Sequence, residues 1–238
     1  MPGLELVENF ITKIKTVDTV DDLRRAFASE IAQLGFGKHI CISLVDMNNP
    51  PPNAIQIFDY PPAWIERYKR EGYFRDDVVL KTAFSNIGPY RWSSLDRSDK
   101  RNRRIFAEAE QYGIREGMTV PVTLPGHYPC CVNMAGAHTD VDPATFHILH
   151  LLAEYYVLKI VELTGRQTQL FDPPSLTPRE RECLVWMAKG KSDYEIGRIL
   201  SISARTVNGY MENIRKKFNV STRTQAVALA VSGGLVIP

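Results

Sequence analysis

Apolar residues Leu6, Phe10, Ile14 and Val17, then Leu23, Phe27, Ile31 and Leu34, recur every three or four positions, with Asp18-Thr19 between the two series. Spacing of this kind predicts two amphipathic helices. The pattern then changes. His39 to Val45 and Ala54 to Phe58 read as strands flanking the turn segment Asn48-Asn49-Pro50-Pro51-Pro52. Pro61 to Glu71 predicts a helix with Pro62 near its first turn, Asp76 to Phe84 a short helical piece, and Ser98 to Tyr112 a charged helix. Met118 to Leu124 and Cys130 to Gly136 read as strands joined by a Pro125-Gly126 turn. After Asp142 the residues Phe146, Leu149, Leu152, Ala153, Tyr156, Val157, Ile160 and Val161 form one continuous apolar stripe. That long helix must be covered by the sheet or by a second subunit. The order of elements predicts an α/β/α sandwich around an antiparallel sheet.

Thr164 to Ser175 has no periodicity and contains Gly165, Pro173 and Pro174, which makes 166–175 a linker between a domain at 1–165 and one at 176–238. The second domain is all helical, so the chain as a whole is α+β. Thr177 is placed to cap a helix, with Pro178 at its first position and Glu180 three residues past the cap. Lys189-Gly190-Lys191 ends that helix, and a helix of about two turns follows Ser192. Ser201-Ile202-Ser203 makes a tight turn into a third helix carrying Val207, Met211, Ile214 and Phe218 on its inner side. This is the layout of a four-helix helix-turn-helix domain.

Charge sharpens that reading. Residues 175–238 hold ten lysines and arginines against five acidic residues, a local net charge of +5, while the rest of the chain carries −3. A basic C-terminal domain suits a polyanion, here double-stranded DNA. In the third helix, Arg205, Thr206, Arg215, Lys216 and Lys217 are candidates for phosphate contacts, and Asn208, Gly209 and Glu212 for the groove-facing side. Asn can bond adenine, Glu can accept from cytosine, and Gly209 lets the backbone come close. Cys41, Cys130, Cys131 and Cys183 lack metal-ligand or C-x-x-C spacing and read as reduced core thiols. His147-x-x-His150 is too little for a zinc site, and no Gly-rich phosphate loop follows a strand, so no catalytic, metal or cofactor site is expected. With no apolar run of membrane-spanning length and no secretory leader, the expectation is a cytoplasmic protein without a membrane partner.

The C-terminal residues Leu176-Thr-x-Arg-Glu-x-Glu182, Gly190, Glu195-Ile196, Ile202-Ser203, Thr206-Val207, Ile214-Arg-Lys-Lys-Phe218, Val220, Arg223 and Gly234-Leu235 resemble the LuxR-type DNA-binding domain. Tyr210 departs from it, standing where a His is common. In the N-terminal half Tyr60, Trp64 and Tyr68 recur every four residues, a spacing that ordinary core packing also produces. Together with Gly72-Tyr73, Asp77 and Trp92, however, Tyr60-Pro-x-x-Trp64-x-x-x-Tyr68 resembles the autoinducer-binding domain of LuxR-type quorum-sensing regulators.

That resemblance implies an N-acyl homoserine lactone as ligand. Trp64 would donate to the lactone carbonyl, Asp77 would accept from the amide N–H, and Tyr60 would bond the acyl carbonyl. Tyr68 and Trp92 would pack around the lactone, Ile105, Phe106, Ala109 and Ile114 would border the tail, and Gly117 matches a glycine near the pocket. Two positions differ from the pattern: Asn133 stands where Ser or Thr bonds the ligand, and Val78 where Pro follows the Asp. The resemblance further implies a homodimer on a two-fold DNA site, with the long helix at the dimer contact and RNA polymerase as a candidate partner. The competing reading is an orphan regulator that binds DNA without a lactone, senses another small molecule, or sequesters a related regulator.

Overall fold

A computed structural model describes residues 2–124, 127–136, 142–164, 175–232 and 235–236. The expected Pro125-Gly126 turn, all of the expected linker but Ser175, and Gly234 lie outside the described residues. The chain divides into two compact units.

The N-terminal unit contains α1 (Pro2–Ile14), α2 (Val20–Gln33), β1 (Lys38–Ser43), β2 (Gln56–Phe58), α3 (Pro62–Arg70), α4 (Val78–Ser85), β3 (Tyr90–Arg91), α5 (Lys100–Glu110), β4 (Glu116–Val122), β5 (Cys130–Gly136) and α6 (Pro143–Leu163). Its strands form one antiparallel sheet in the order β2-β1-β5-β4-β3. Successive side chains on a strand point to opposite faces, so the sheet divides the unit into two cores. On one face Cys41, Met118, Val120, Cys130, Val132 and Met134 meet α1, α2 and α6. On the other, Ile40, Ile42, Cys131 and Ala135 meet α3, α4 and α5. The expected α/β/α sandwich is therefore the fold, and adjacent Cys130 and Cys131 serve opposite cores. All four cysteines are buried and free.

By length and composition α6 could cross a bilayer, the one such helix among the described residues. Its apolarity has a nearer cause, because Leu149, Leu152, Ala153, Tyr156, Val157 and Ile160 are buried against the sheet and its neighbouring helices. β3 is two residues long and was not predicted, since so short an edge strand carries no periodicity of its own.

The C-terminal unit holds α7 (Pro178–Ala188), α8 (Asp193–Leu200), α9 (Ala204–Phe218) and α10 (Arg223–Ser232). Thr177 and Ser192 each form a reciprocal capping box, with Glu180 and Glu195 respectively, and Ser203 caps α9. Cys183, Leu184, Ile196, Val207, Met211, Ile214 and Phe218 close a small core with Ala226 and Ala230. At Gly197 an added Cβ would lie 2.7 Å from the Ile202 carbonyl oxygen, so only glycine lets α8 sit this close to the turn leading into α9.

Glu180 has a second task. It is 3% exposed, and its Oε2 accepts from Lys217 Nζ at 2.7 Å as well as from the Thr177 N–H at 2.7 Å. Burial penalises the carboxylate, but the Lys217 ammonium and the Thr177 donors outweigh it and hold its pKa below the usual carboxylate range. The stability this pair contributes is therefore present above the unfolded-state pKa of a glutamate, and is lost as pH falls through the lower folded value. Lys217→Met should destabilise the C-terminal unit by roughly 1–3 kcal/mol at neutral pH, because it strands a buried carboxylate. Urea melts of the full chain at neutral pH, and again at a pH low enough to protonate Glu180, check this. The deficit should shrink in acid, and an equal deficit at both would remove the ion pair as its cause.

Candidate ligand pocket and DNA-reading face

The aromatic positions that recur along the sequence converge under the sheet. Pro62 opens α3 at its first turn, and the helix buries Trp64 and Tyr68 on one face. Tyr60 precedes it on the segment leaving β2, which is pinned by the Asp59 N–H donating to the His39 carbonyl at 2.9 Å and by an ion pair between Arg24 and Asp59. Asp77 caps α4, its Oδ1 accepting from the Val79 N–H at 2.8 Å. Val78 keeps an N–H, which the proline of the pattern it resembles would lack, and donates it to Asn102 Oδ1 on α5 at 2.8 Å. The departure thus adds a tie to the backbone that aims Asp77.

Tyr60, Trp64, Tyr68 and Asp77, together with Ile105, Phe106, Ala109 and Ile114 of the α5 region, Trp92 and Asn133, line a cavity of about 50 Å³. Gly117 is the one sequence-predicted ligand residue that does not line it. A Cβ there would lie 2.9 Å from the Trp92 ring and 2.3 Å from the Met134 carbonyl, so Gly117 makes room for Trp92 rather than for a ligand. Ile40, Ile42, Met47, Ile65, Val79 and Leu80 also line the cavity and went unassigned from sequence. The alternation along β1 signals Ile40 and Ile42, but nothing local marks the others.

Polar groups in this apolar shell are few and unevenly paired. Asp77 Oδ2 accepts from Tyr68 Oη at 2.7 Å. Burial pushes the Asp77 pKa up despite the Tyr68 and Val79 donors. Burial likewise pushes the Tyr60 and Tyr68 hydroxyls well above their usual range, so both remain neutral donors. The Tyr60 hydroxyl is buried with no hydrogen-bond partner. A group in that state costs about 1–3 kcal/mol, and a hydrogen-bonding ligand would recover it. Trp64 packs edge-on to Tyr68, at 5.6 Å between ring centres, and lies 5.5 Å from Tyr112. Arg67 and Arg104 of the α3 and α5 faces lower the Glu108 pKa to about 2, and Glu108 also accepts from Tyr73 Oη at 2.7 Å. This cluster clamps α3 to α5 beside the cavity.

On the C-terminal unit, α9 buries Val207, Met211, Ile214 and Phe218 and turns Arg205, Glu212, Asn213 and Lys216 to solvent. Arg205, Gly209, Glu212 and Lys216 share the side opposite the core. Asn208 is exposed on the flank, where it borders a shallow groove with Met211, Glu212, Arg215 and Arg223. Asn213, exposed on the outer side, was missed from sequence. Thr206 is exposed, with its hydroxyl 2.7 Å from that of Ser203 in the cap. Arg215 donates to the Ser221 carbonyl at 3.1 Å. Lys217 is a correction: its ammonium is committed to Glu180 and to the Ser175 carbonyl at 2.9 Å, which makes it a brace for α7 and no longer a free phosphate contact. Gly209 meets nothing within 4 Å of where its Cβ would be, so the fold itself does not require glycine there.

Comparison with known proteins agrees with both halves. Residues 19–160 match the autoinducer binding domain, and residues 174–230 match the bacterial regulatory proteins of the luxR family. The HTH-type quorum sensing-dependent transcriptional regulator RpaR of Rhodopseudomonas palustris is 30% identical over 234 residues, covering 94% of each chain. The putative HTH-type transcriptional regulator y4qH of Sinorhizobium fredii is 33% identical over 195 residues, 80% of this chain and 59% of that protein. Crystalline SdiA of Escherichia coli shares the fold with a TM-score of 0.72 at 22% identity, over 99% of both chains. A sandwich with a buried ligand cavity, a helix-turn-helix unit and these matches lead to one conclusion: the chain belongs to the LuxR-type quorum-sensing transcription regulators, a family of ligand-responsive DNA-binding proteins rather than of enzymes.

Proposed function

We propose that the ligand is an N-acyl homoserine lactone and that its burial governs DNA binding by a homodimer. The observation that carries this reading is the partnerless Tyr60 hydroxyl, buried in an apolar cavity that also holds the buried carboxylate of Asp77. An acyl amide offers a carbonyl to Tyr60 and an N–H to Asp77, whose oxygens can each accept a second hydrogen bond. The lactone carbonyl falls to the Trp64 indole N–H, the ring packs on Tyr68 and Trp92, and the acyl tail takes the apolar wall of Ile105, Phe106, Ala109 and Ile114 together with Ile40, Ile42, Met47 and Leu80. A cavity of about 50 Å³ holds only a few waters at ~10–15 Å³ each, so the lining side chains must part for the ligand. Leu151, Tyr155 and Leu158 are exposed along the outer side of α6, an apolar stripe that supports pairing of two copies. Paired α9 helices then read a two-fold site in bacterial cytoplasm, where RNA polymerase is the partner through which a DNA-bound regulator acts.

Three measurements test this reading. At about a hundredfold excess over Kd, a ligand that binds only the folded state adds about 2.7 kcal/mol, a rise of several degrees in Tm. A series of lactones of graded chain length should give such a rise for some members, and a flat response across the series would reject the lactone. Asp77→Asn should leave the Tm of the free protein at or above that of the parent, since it removes a buried charge while keeping the α4 cap, and should abolish the ligand-induced rise; a retained rise at unchanged ligand concentration would remove Asp77 from the site. On α9, Gly209→Ala should raise the stability of the unliganded protein by about 0.5–1 kcal/mol and yet weaken DNA binding. Fluorescence anisotropy with operator DNA measures the second effect, and tighter or unchanged binding would show that the backbone at Gly209 does not approach the groove.

A further inference from the structure

Asn102 was not singled out from the sequence, and it does not line the cavity, yet the turn that carries Asp77 rests on it. On α5 the residues Asn102, Ile105 and Ala109 are buried, and Ile105 and Ala109 form part of the cavity wall. Positions three and four apart on a helix stand one above the other, so Asn102 extends that apolar row by one turn with a polar side chain that is only 8% exposed.

The partners of Asn102 fix which way its amide points. Asp99 caps α5, and the backbone N–H groups of Asn102 and Arg101 hold its carboxyl below the usual carboxylate range, so it stays ionised and can only accept. The Val78 N–H can only donate. Asn102 Nδ2 donates to Asp99 Oδ2 at 3.3 Å, and its Oδ1 accepts from the Val78 N–H at 2.8 Å. A flipped amide would set carbonyl against carboxylate and NH2 against N–H. Val78 is the first residue of α4, so its N–H has no partner within the helix. Arg101 holds the chain on the other side, donating from Nη2 to the Glu71 carbonyl at 2.6 Å and from Nε to Asp76 Oδ2 at 3.2 Å. The first turn of α5 therefore grips the chain at Asp76 and at Val78, and Asp77 lies between them with Oδ2 turned to Tyr68 in the cavity wall.

We propose that Asn102 is a positioning residue for ligand recognition: it locks the first turn of α4 to α5 and so sets the Asp77 carboxylate at a fixed separation from the wall of Ile105 and Ala109. This rests on the lactone reading and refines it. The ligand's amide is a rigid plane, and its N–H reaches Asp77 in good alignment only while carboxylate and wall keep their places. A hydrogen bond weakens steeply as its angle opens, whereas apolar burial has no direction. Loss of the Asn102 tie therefore costs the N–H contact and spares the rest of the binding energy.

The test compares an N-acyl homoserine lactone that raises the Tm of the full-length protein with its ester counterpart, in which oxygen replaces the amide N–H. The ester keeps the lactone ring, the carbonyl and the chain but gives Asp77 nothing to accept. Tm followed against ligand concentration yields the ratio of the two Kd values. The parent protein should favour the amide, and Asn102→Ala should lower that preference about tenfold, the worth of one good hydrogen bond. Val78→Pro removes the same bond from its donor side, at a helix position that suits proline and after a residue whose backbone, at φ −57° and ψ 116°, already has the form that precedes one. In the Val78→Pro background Asn102→Ala should change the ratio no further, because the N–H it served is gone. The proposal is overturned if Asn102→Ala weakens amide and ester alike and so keeps the parent ratio, or if its effect is undiminished beside Val78→Pro, as a packing defect at residue 102 would be. Should Asn102→Ala fail to fold, Asn102→Leu, of similar size without polar atoms, takes its place in both comparisons under the same criteria. Failure of every lactone to shift the parent's Tm would reject the lactone reading, and this refinement with it, whereas a parent that binds lactones without preferring amide to ester would reject the refinement alone.

Discussion

Placing a carboxylate and several polar aromatic rings under an apolar sheet forces each of their polar atoms to find a partner, since an unpaired donor or acceptor away from water is costly. The pocket face of the N-terminal unit is organised by that constraint. Asp77 takes donors from Tyr68 and from the first turn of α4, Trp92 takes Thr119, and Thr119 takes Asn133. What these pairings leave over, chiefly the Tyr60 hydroxyl, is a description of the ligand in negative. On the opposite face the buried His39 ring lies 3.2 Å from the Tyr156 hydroxyl and 3.5 Å from Asp59, with its Nδ1 lacking a hydrogen-bond partner, Phe27 stacks on Tyr156 at 4.1 Å, and burial lowers the imidazole pKa to about 4, which keeps it neutral.

The two faces are joined by a short piece of chain. Asp59, held by Arg24 of α2 on one side of the sheet, immediately precedes Tyr60, which turns into the cavity on the other.

The C-terminal unit separates stability from recognition on one helix. α9 commits its inner face and Lys217 to the fold, while Gly209, for which the fold has no packing need, sits on the outer face with Arg205, Glu212 and Lys216. A glycine in mid-helix lowers stability, so its presence where nothing crowds it fits a surface shaped for something outside the chain.

Much of this was legible in the sequence, for identifiable reasons. Period-two and period-3.6 patterns act locally and fixed the sandwich layers, the caps at Thr177, Ser192 and Ser203 lay within three residues of what they cap, and the spacing of Tyr60, Trp64 and Tyr68 put three rings on one side of the chain as it enters α3. Ten of the eleven ligand residues inferred from sequence line the cavity. What escaped were relations between distant segments. Gly117 proved to answer to Trp92, Lys217 to Glu180, and Val78 to Asn102, each a pairing across 24 or more positions that no local pattern encodes. Thr119 escaped for the same reason: a threonine in a strand is unremarked until the register sets it between Asn133 and Tyr90, and only the folded sheet decides which side chains become its neighbours.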